Sequence, residues 1–390
     1  MLHSLDWVDG TAVLVLAIWL YLVFARGQFW WLREFDDDIA PHGELGQWPR
    51  VVAIVPARNE AETIARSVCS LAEQNYGGEL SVIVVDDHSE DETRERAREA
   101  ALRAGAADRV LVDAAGELPA GWTGKLWALS EGVERAEPSQ ARFYWFTDAD
   151  VVHAPDTLRR LVSRAETDKL ALVSLMVLLR AESPAERLLI PPFLYFFLKL
   201  YPPRWVADPR ARTAGAAGGC VLLRPEALRR SGGLAAIRDQ VIDDCALATA
   251  FKRCGQRIWL GLTRASVSVR SYRDFAEIRD LIARTAFTQL RYSPVLLLGT
   301  LLGLLASYAL PMALAFSGRA PASACGILAW ALMTMSFVPT LWFYRLPRYW
   351  AFLMPLAALF YAYATMVSAV RFWRGRGARW KGRVQALPSP

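Results

Sequence analysis

Asp148-Ala149-Asp150 places two carboxylates at positions i and i+2 directly after Phe143-Tyr144-Trp145-Phe146-Thr147. In an extended backbone these positions project the same way, so both acids can face one ion. Hard carboxylate oxygens suit Mg²⁺ or Mn²⁺, and such an ion would neutralise a diphosphate. An isolated Asp-x-Asp is usually an ordinary turn or cap. Its position at the end of a very apolar strand is what favours the metal reading. His153, three residues on, is expected in a loop and only secondarily at such a site. A second acidic pair, Asp86-Asp87, ends another apolar run and is followed by His88-Ser89-Glu90-Asp91-Glu92-Thr93. One of these residues caps the next helix. Two adjacent carboxylates exceed what a cap needs, and a carboxylate at this place in a nucleotide-binding α/β sheet accepts hydrogen bonds from a ribose or base. A third pair, Asp243-Asp244, precedes a helical stretch from Cys245 to Lys252. The plainer account of that pair is favourable interaction with the helix dipole.

The elements that must position these acids are legible as periodicity. Val51-Val52-Ala53-Ile54-Val55, Val82-Ile83-Val84-Val85, Val110-Leu111-Val112 and Phe143 to Phe146 are short continuous apolar runs, as buried strands are. Between them, Ile64, Val68 and Leu71 recur at helical spacing, and the charged stretch from Glu92 to Arg103 reads as an exposed helix with i,i+4 ion pairs. Alternation of this kind predicts a parallel sheet with helices on both faces, with ligands at the carboxyl ends of the strands. The polar clusters sit at those ends. The loop Pro56-Ala57-Arg58-Asn59-Glu60 has no glycine-rich phosphate cradle, which argues against dehydrogenase and ATPase readings.

Hydrophobic residues make up 54% of the 390 and are concentrated at the two ends, while charged residues lie mostly between about 33 and 292. The net charge of +6 comes without a basic stripe in the central region, so nucleic acid is not an expected partner. Lysine is scarce: Lys125, Lys169, Lys199, Lys252 and Lys381 are the only ones. A basic tail, Arg371, Arg374, Arg376, Arg379, Lys381 and Arg383, follows an apolar run and suits an anionic lipid surface. The five cysteines are scattered without a CxxC pair, which favours a reduced, cytoplasm-facing domain over zinc or disulfides.

Residues from Thr11 to Phe24 read as an uncleaved anchor. Asp6 and Asp9 precede it and Arg26 and Arg33 follow, which places the central domain in the cytoplasm. Apolar stretches at about 295–316, 325–344 and 351–370 are each long enough for a membrane helix. The shorter Leu188 to Leu200, with Pro191-Pro192, suits either the membrane interface or a buried core. Four spans with an outside N-terminus would leave the basic tail outside, against the positive-inside rule. Either one stretch is re-entrant or the first does not cross. The expected layout is an anchor over 1–33, a catalytic domain over 50–293, about three membrane helices over 294–371 and a basic tail over 372–390.

The motifs VPARNE, VVDDHSEDET, TDAD, AAGGCVLLRPEAL and IDDCAL occur in this order from Val51 onwards. Together they resemble family 2 glycosyltransferases over about Val51 to Tyr292. The added Gly121-Trp122-Thr123-Gly124-Lys125 element and the apolar ends are most similar to the hopene-associated members of bacterial hopanoid clusters, with ceramide glucosyltransferases somewhat less close. The resemblance implies a GT-A, Rossmann-like mixed α/β sheet, a nucleotide-sugar donor, Mg²⁺ or Mn²⁺, a lipid acceptor and a place in the bacterial inner membrane. It also implies roles for particular residues. Pro56, Arg58 and Glu60 line the nucleotide pocket, Asp87 with Asp86 holds the nucleoside, and Lys125 lies near the donor. Asp148 and Asp150 bind metal, with Asp148 also on the donor. Gly218, Gly219, Asp243 and Arg291 lie toward the acceptor, and Asp244 is the general base of an inverting transfer.

There are two departures. Thr288-Gln289-Leu290-Arg291-Tyr292 has Tyr where membrane members often have Trp, and Gln falls one position late, which makes a processive polysaccharide synthase a weaker alternative. The acid pair is Asp-Asp where Glu-Asp is commoner. A non-catalytic nucleotide-sugar-binding scaffold is the rival outside enzymology.

Overall fold

The computed structural model describes residues 7–36, 46–376, 379–381 and 383–384. Asp6 and residues 377, 378, 382 and 385–390 of the expected tail lie outside the described residues. The chain forms two compact units.

The unit made of residues 34–180, 205–271 and 377–390 is built on an eight-stranded mixed sheet. Its strands are β1 (Val51–Ala57), β2 (Leu80–Asp86), β3 (Val110–Ala114), β4 (Phe143–Thr147), β5 (Val151–His153), β6 (Leu172–Leu178), β7 (Cys220–Leu223) and β8 (Ile258–Ser268), in the order β3-β2-β1-β4-β7-β6-β8-β5. All four strands expected from the apolar runs are present, and they pair in parallel. Every residue of β1 is buried, because the strand has a neighbour on each side and helices over its faces. Phe143, Trp145 and Ile54 are among the largest fully buried side chains. Each contributes on the order of 1.5–3 kcal/mol of hydrophobic stabilisation.

β7 makes the sheet mixed: it runs antiparallel to β4 and to β6, and β8 runs parallel to β6. The consequence for function is directional. β1, β2, β4, β6 and β8 all finish at one edge, and β7 starts there, with Cys220 opposite Thr147. Residues following β1, β2, β4 and β8, and those preceding β7, therefore converge. Alongside β8, Phe35 bridges Leu262, Trp259 Nε1 donates to Glu34 at 2.8 Å, and Thr263 bonds Asp36 at 2.8 Å. The unit thus begins at Glu34, ahead of the expected position 50.

The other unit gathers residues 1–33, 181–204 and 272–376. It includes four helical segments long and apolar enough to cross a membrane, Trp7–Ala25, Pro294–Ala315, Ala320–Phe343 and Arg348–Trp373. The expected catalytic domain of 50–293 is narrower in the structure, because two of its helices group with the apolar ones. Pro184–Leu200 contains Pro191 and Pro192 in its interior and is a core element of this unit. Tyr195 hydroxyl meets Ser336 Oγ at 2.7 Å, and Tyr361 hydroxyl donates to Leu189 O at 2.8 Å. Of the two accounts of Leu188 to Leu200, the buried one describes it within this unit. Phe275–Gln289 is tied to the last apolar helix by Ser368 Oγ, which donates to Ala283 O at 2.5 Å and accepts from Phe287 N at 3.1 Å. Arg371 and Asp280 pair at 2.7 Å.

Candidate functional site

The convergence of strand ends assembles a cleft in the sheet unit, lined by Pro56, Lys125, Asp148, Gly218, Asp243 and Asp244. Leu126, Leu129, Leu234, Ile237 and Leu247 supply an apolar side.

Lys125 is the hub. It sits in the first turn of the helix Gly124–Ala136, whose N-cap is Thr123. Its Nζ is 2.9 Å from Asp148 Oδ1 and 3.3 Å from Asp243 Oδ2. Burial works against its charge, but Asp148, Asp243 and Asp244 outweigh that and hold the ammonium protonated. One cation thereby joins three sequence motifs that are far apart along the chain.

Asp244 lies in the first turn of the helix Asp243–Arg253, as the dipole argument anticipates, yet its carboxylate does more. Oδ1 accepts from Cys245 N at 2.7 Å, and Oδ2 reaches across the cleft to accept from Gly218 N at 2.8 Å. The loop that presents Gly218 is pinned independently, with Ala217 N donating to Ser174 Oγ at 2.8 Å and Thr147 Oγ1 donating to Gly219 O at 3.0 Å. A Cβ at Gly218 would lie 3.0 Å from Lys125 Nζ and 3.4 Å from Asp244 Oδ2, so the missing side chain is what lets the backbone come this close. Gly219 packs against Val177. Burial, then the neighbouring Asp243 charge, raises the Asp244 carboxyl to about 6, with Lys125 and the two backbone N–H groups pulling the other way. An acid tuned to that range is ionised at neutral pH and remains basic enough to take a proton.

Asp150 faces a second network. Its Oδ2 accepts from Arg270 Nε and Ser268 Oγ, both at 3.0 Å. Arg270 Nη2 continues to Glu60 Oε1 at 2.6 Å, and Lys381 Nζ meets the same oxygen at 2.8 Å. Burial raises the Glu60 carboxyl, against the pull of Arg270 and Lys381. Arg270 and Lys381 were not expected here. Arg270 had no signal beyond following the long apolar β8, and Lys381 was counted only as tail charge.

Asp86 and Asp87 divide their work. Asp86 is buried and closes the loop after β2, pairing with Arg94 at 2.8 Å and accepting from Ser89. Asp87 is buried beside Gly124. Asp91 makes the turn into the following helix, accepting from Thr93 N at 3.1 Å. Arg58 binds the carbonyls of Asp87 and His88 at 2.5 and 2.9 Å, which locks the loops after β1 and β2 together.

His153 corrects an expectation. It belongs to strand β5 and not to a loop, is buried between Thr147 Oγ1 and Ser266 Oγ at 2.8 Å each, and packs at a tilt against the Trp145 ring. Burial pushes it down to about 3, so it is a neutral core residue. Arg291 is exposed at the end of the helix Phe275–Gln289, in the apolar unit, and the adjacent Tyr292 stacks on Phe372 with centroids 4.3 Å apart.

For a divalent ion, Asp148 and Asp150 offer hard oxygens. Among the described residues no group of three or more His, Cys, Asp or Glu side chains forms a cage. Two carboxylates fit Mg²⁺ or Mn²⁺, which take few protein ligands and complete their shell with water and substrate phosphates. Lys125 and Arg270 balance the two acids in this structure.

A nucleotide-sugar transferase fold of the GT-A type accounts for this sheet order and for acids gathered at its strand ends. Residues 52–232, somewhat under half the chain, match the family described as Glycosyl transferase family 2, and the chain is a glycosyltransferase. A comparison with curated proteins gives no match. Among solved structures, the mannosyltransferase PcManGT from Pyrobaculum calidifontis, in complex with GDP-Man and Mn²⁺, is similar at 21% identity and a TM-score of 0.59. That match covers 93% of this chain and 99% of the other. The glucosyl-3-phosphoglycerate synthase of Mycobacterium tuberculosis with Mn²⁺ and UDP-glucose matches at 22% identity and a TM-score of 0.38, over 62% of this chain and 79% of that one. TarS of S. aureus matches at 17% identity and a TM-score of 0.42, over 74% of this chain and 54% of that one.

Proposed function

We propose that this chain transfers a single sugar, with inversion, from a nucleoside-diphosphate sugar of the UDP-hexose class to the hydroxyl of a membrane lipid. The observation that carries this reading is the Asp148–Lys125–Asp243/Asp244 cluster. It sets a tuned carboxylate and a fixed cation together in one cleft with an apolar wall. Asp244 takes the acceptor's proton as the hydroxyl oxygen bonds to the anomeric carbon and the carbon–oxygen bond to the diphosphate breaks. Lys125 faces the charge that develops on the departing diphosphate. Asp148 and Asp150 would hold Mg²⁺ or Mn²⁺, which when bound neutralises diphosphate charge. Pro56 and Asp87 border the donor, and Arg58 and Asp86 hold the loop that presents Asp87. Gly218, Gly219 and Asp243 form the acceptor side. The apolar wall and the four apolar helices favour a lipid acceptor, and the sequence motifs favour a polyprenyl-derived one of the hopanoid class.

The test is nucleotide-sugar binding and slow hydrolysis by the detergent-purified protein, with and without Mn²⁺, across UDP- and GDP-linked hexoses. Metal-dependent selection of one donor is expected. A folded sample that binds none would leave only the scaffold reading.

We place the enzyme in the bacterial inner membrane with the sheet unit in the cytoplasm, where Arg26 and Arg33 follow the first apolar helix. Lys381 pairs with Glu60, so the segment that follows the three apolar helices belongs to the sheet unit and lies on its side of the membrane. An even number of complete crossings between Ser271 and Arg379 satisfies this, with one helix re-entrant or interfacial. The positive-inside conflict then disappears. A reporter fused at the C-terminus should be accessible from the same side as exposed Cys254; opposite sides would contradict the arrangement.

A further inference from the structure

The end of the chain contributes to the sheet unit. Arg379–Trp380 (β9) pairs antiparallel with Arg383–Val384 (β10), shortly after the apolar helix that ends at Trp373. The turn between them meets the residues assigned above to the donor. Lys381 Nζ is 2.8 Å from Glu60 Oε1 and donates to Asn59 O at 3.2 Å. Arg58 Nε donates to Lys381 O at 3.2 Å. A Cβ at Gly124 would lie 3.2 Å from the Trp380 ring and 2.7 Å from Asp87 Oδ2, so the indole covers the start of that helix close to the nucleoside carboxylate.

Three features indicate that this contact is specific. Lys381 has φ 48°, a left-handed conformation that glycine adopts at less cost, so the position retains a long cationic side chain at some expense. The segment from Arg371 onwards contains six basic and no acidic residues, and its Lys381 meets Glu60. Arg58 and Asp87, which this segment adjoins, are buried, whereas Lys125, Asp148, Gly218 and Asp244 line the cleft together with Pro56.

We propose that the β9–β10 segment is a strap occupying the nucleoside end of the donor site, so that the nucleotide and the chain's own Trp380–Lys381 are alternative occupants. This rests on the donor reading given above. Donor entry then requires the strap to leave Arg58, Glu60 and the surface beside Asp87. Apparent donor affinity is reduced by the fraction of molecules in which the strap is docked. Lys381 neutralises Glu60 while the strap is docked, and Arg270 remains to do so after it leaves.

The experiment measures UDP and GDP binding, in the presence of Mn²⁺, to the full chain and to its Trp380→Ala/Lys381→Ala form. The double variant should bind the preferred nucleotide about 5- to 50-fold more tightly, which corresponds to about 1–2 kcal/mol of self-contact removed. Hydrogen exchange in the unaltered protein gives a second readout: a peptide spanning 379–384 should exchange faster once nucleotide saturates the site. Weaker binding by the variant, or slower exchange with nucleotide, would make the segment a lid that closes over the donor and overturn the strap. Equal binding by both proteins with unchanged exchange would overturn the strap alone. Failure of both proteins to bind any nucleotide would remove the donor reading and the strap with it.

Discussion

Asp244→Asn is expected to lower sugar transfer by about 100- to 10,000-fold, the usual contribution of a positioned general base. Nucleotide binding should change little, because Asp244 bonds to the acceptor-side backbone and not to the residues assigned to the nucleoside. The substitution has a structural cost. Both carboxylate oxygens accept from backbone N–H groups, Cys245 at 2.7 Å and Gly218 at 2.8 Å, and an amide can satisfy only one of them. Losing the other costs about 1–3 kcal/mol of local stability. Thermal unfolding of the variant therefore accompanies the kinetics. A fully folded variant with preserved nucleotide binding and little loss of transfer would remove Asp244 from the chemistry.

Lys125→Met should reduce the rate by about 100- to 1000-fold, the scale seen when a preorganised group facing transition-state charge is removed. Methionine approximates the stem but leaves Asp148, Asp243 and Asp244 without the cation that lies among them. The variant also carries a pH signature. In the unaltered enzyme, kcat/KM should fall on the acid side of about 6, where Asp244 takes up a proton and can no longer accept one from the acceptor. Removing Lys125 takes away the charge that lowers the Asp244 carboxyl, so the acid limb should move upward toward neutrality. A rate loss with an unmoved limb would mean that Lys125 acts on the donor alone and is not coupled to the base.

The sequence showed most of the frame. β1, β2 and β4 announced themselves because each lies between two neighbouring strands, which makes a continuous apolar run, and the acids that follow them could be placed at strand ends without a structure; β3 is the edge strand, with Leu111 exposed, and its run is correspondingly short. Legibility declined where pairing is long-range. The antiparallel insertion of β7 brings Gly218 opposite Asp244, and nothing local to AAGGC encodes that partner. Arg270 was missed for the same reason: its function depends on β8 pairing antiparallel with β5, which places it beside Asp150. His153 was misplaced because a short strand of three residues has too little periodicity to separate it from a loop. The tail was read as charge alone, since its contact with Glu60 joins residues more than three hundred positions apart.

The most direct measurement follows a radiolabelled sugar in membranes that contain the protein. Given the donor selected in the binding panel, label should move into a single species extractable by organic solvent, with release of the nucleoside diphosphate. Membranes carrying Asp244→Asn should produce none of it. Label that accumulates in an insoluble polymer, or that appears equally with Asp244→Asn, would contradict single-sugar transfer to a lipid by this carboxylate.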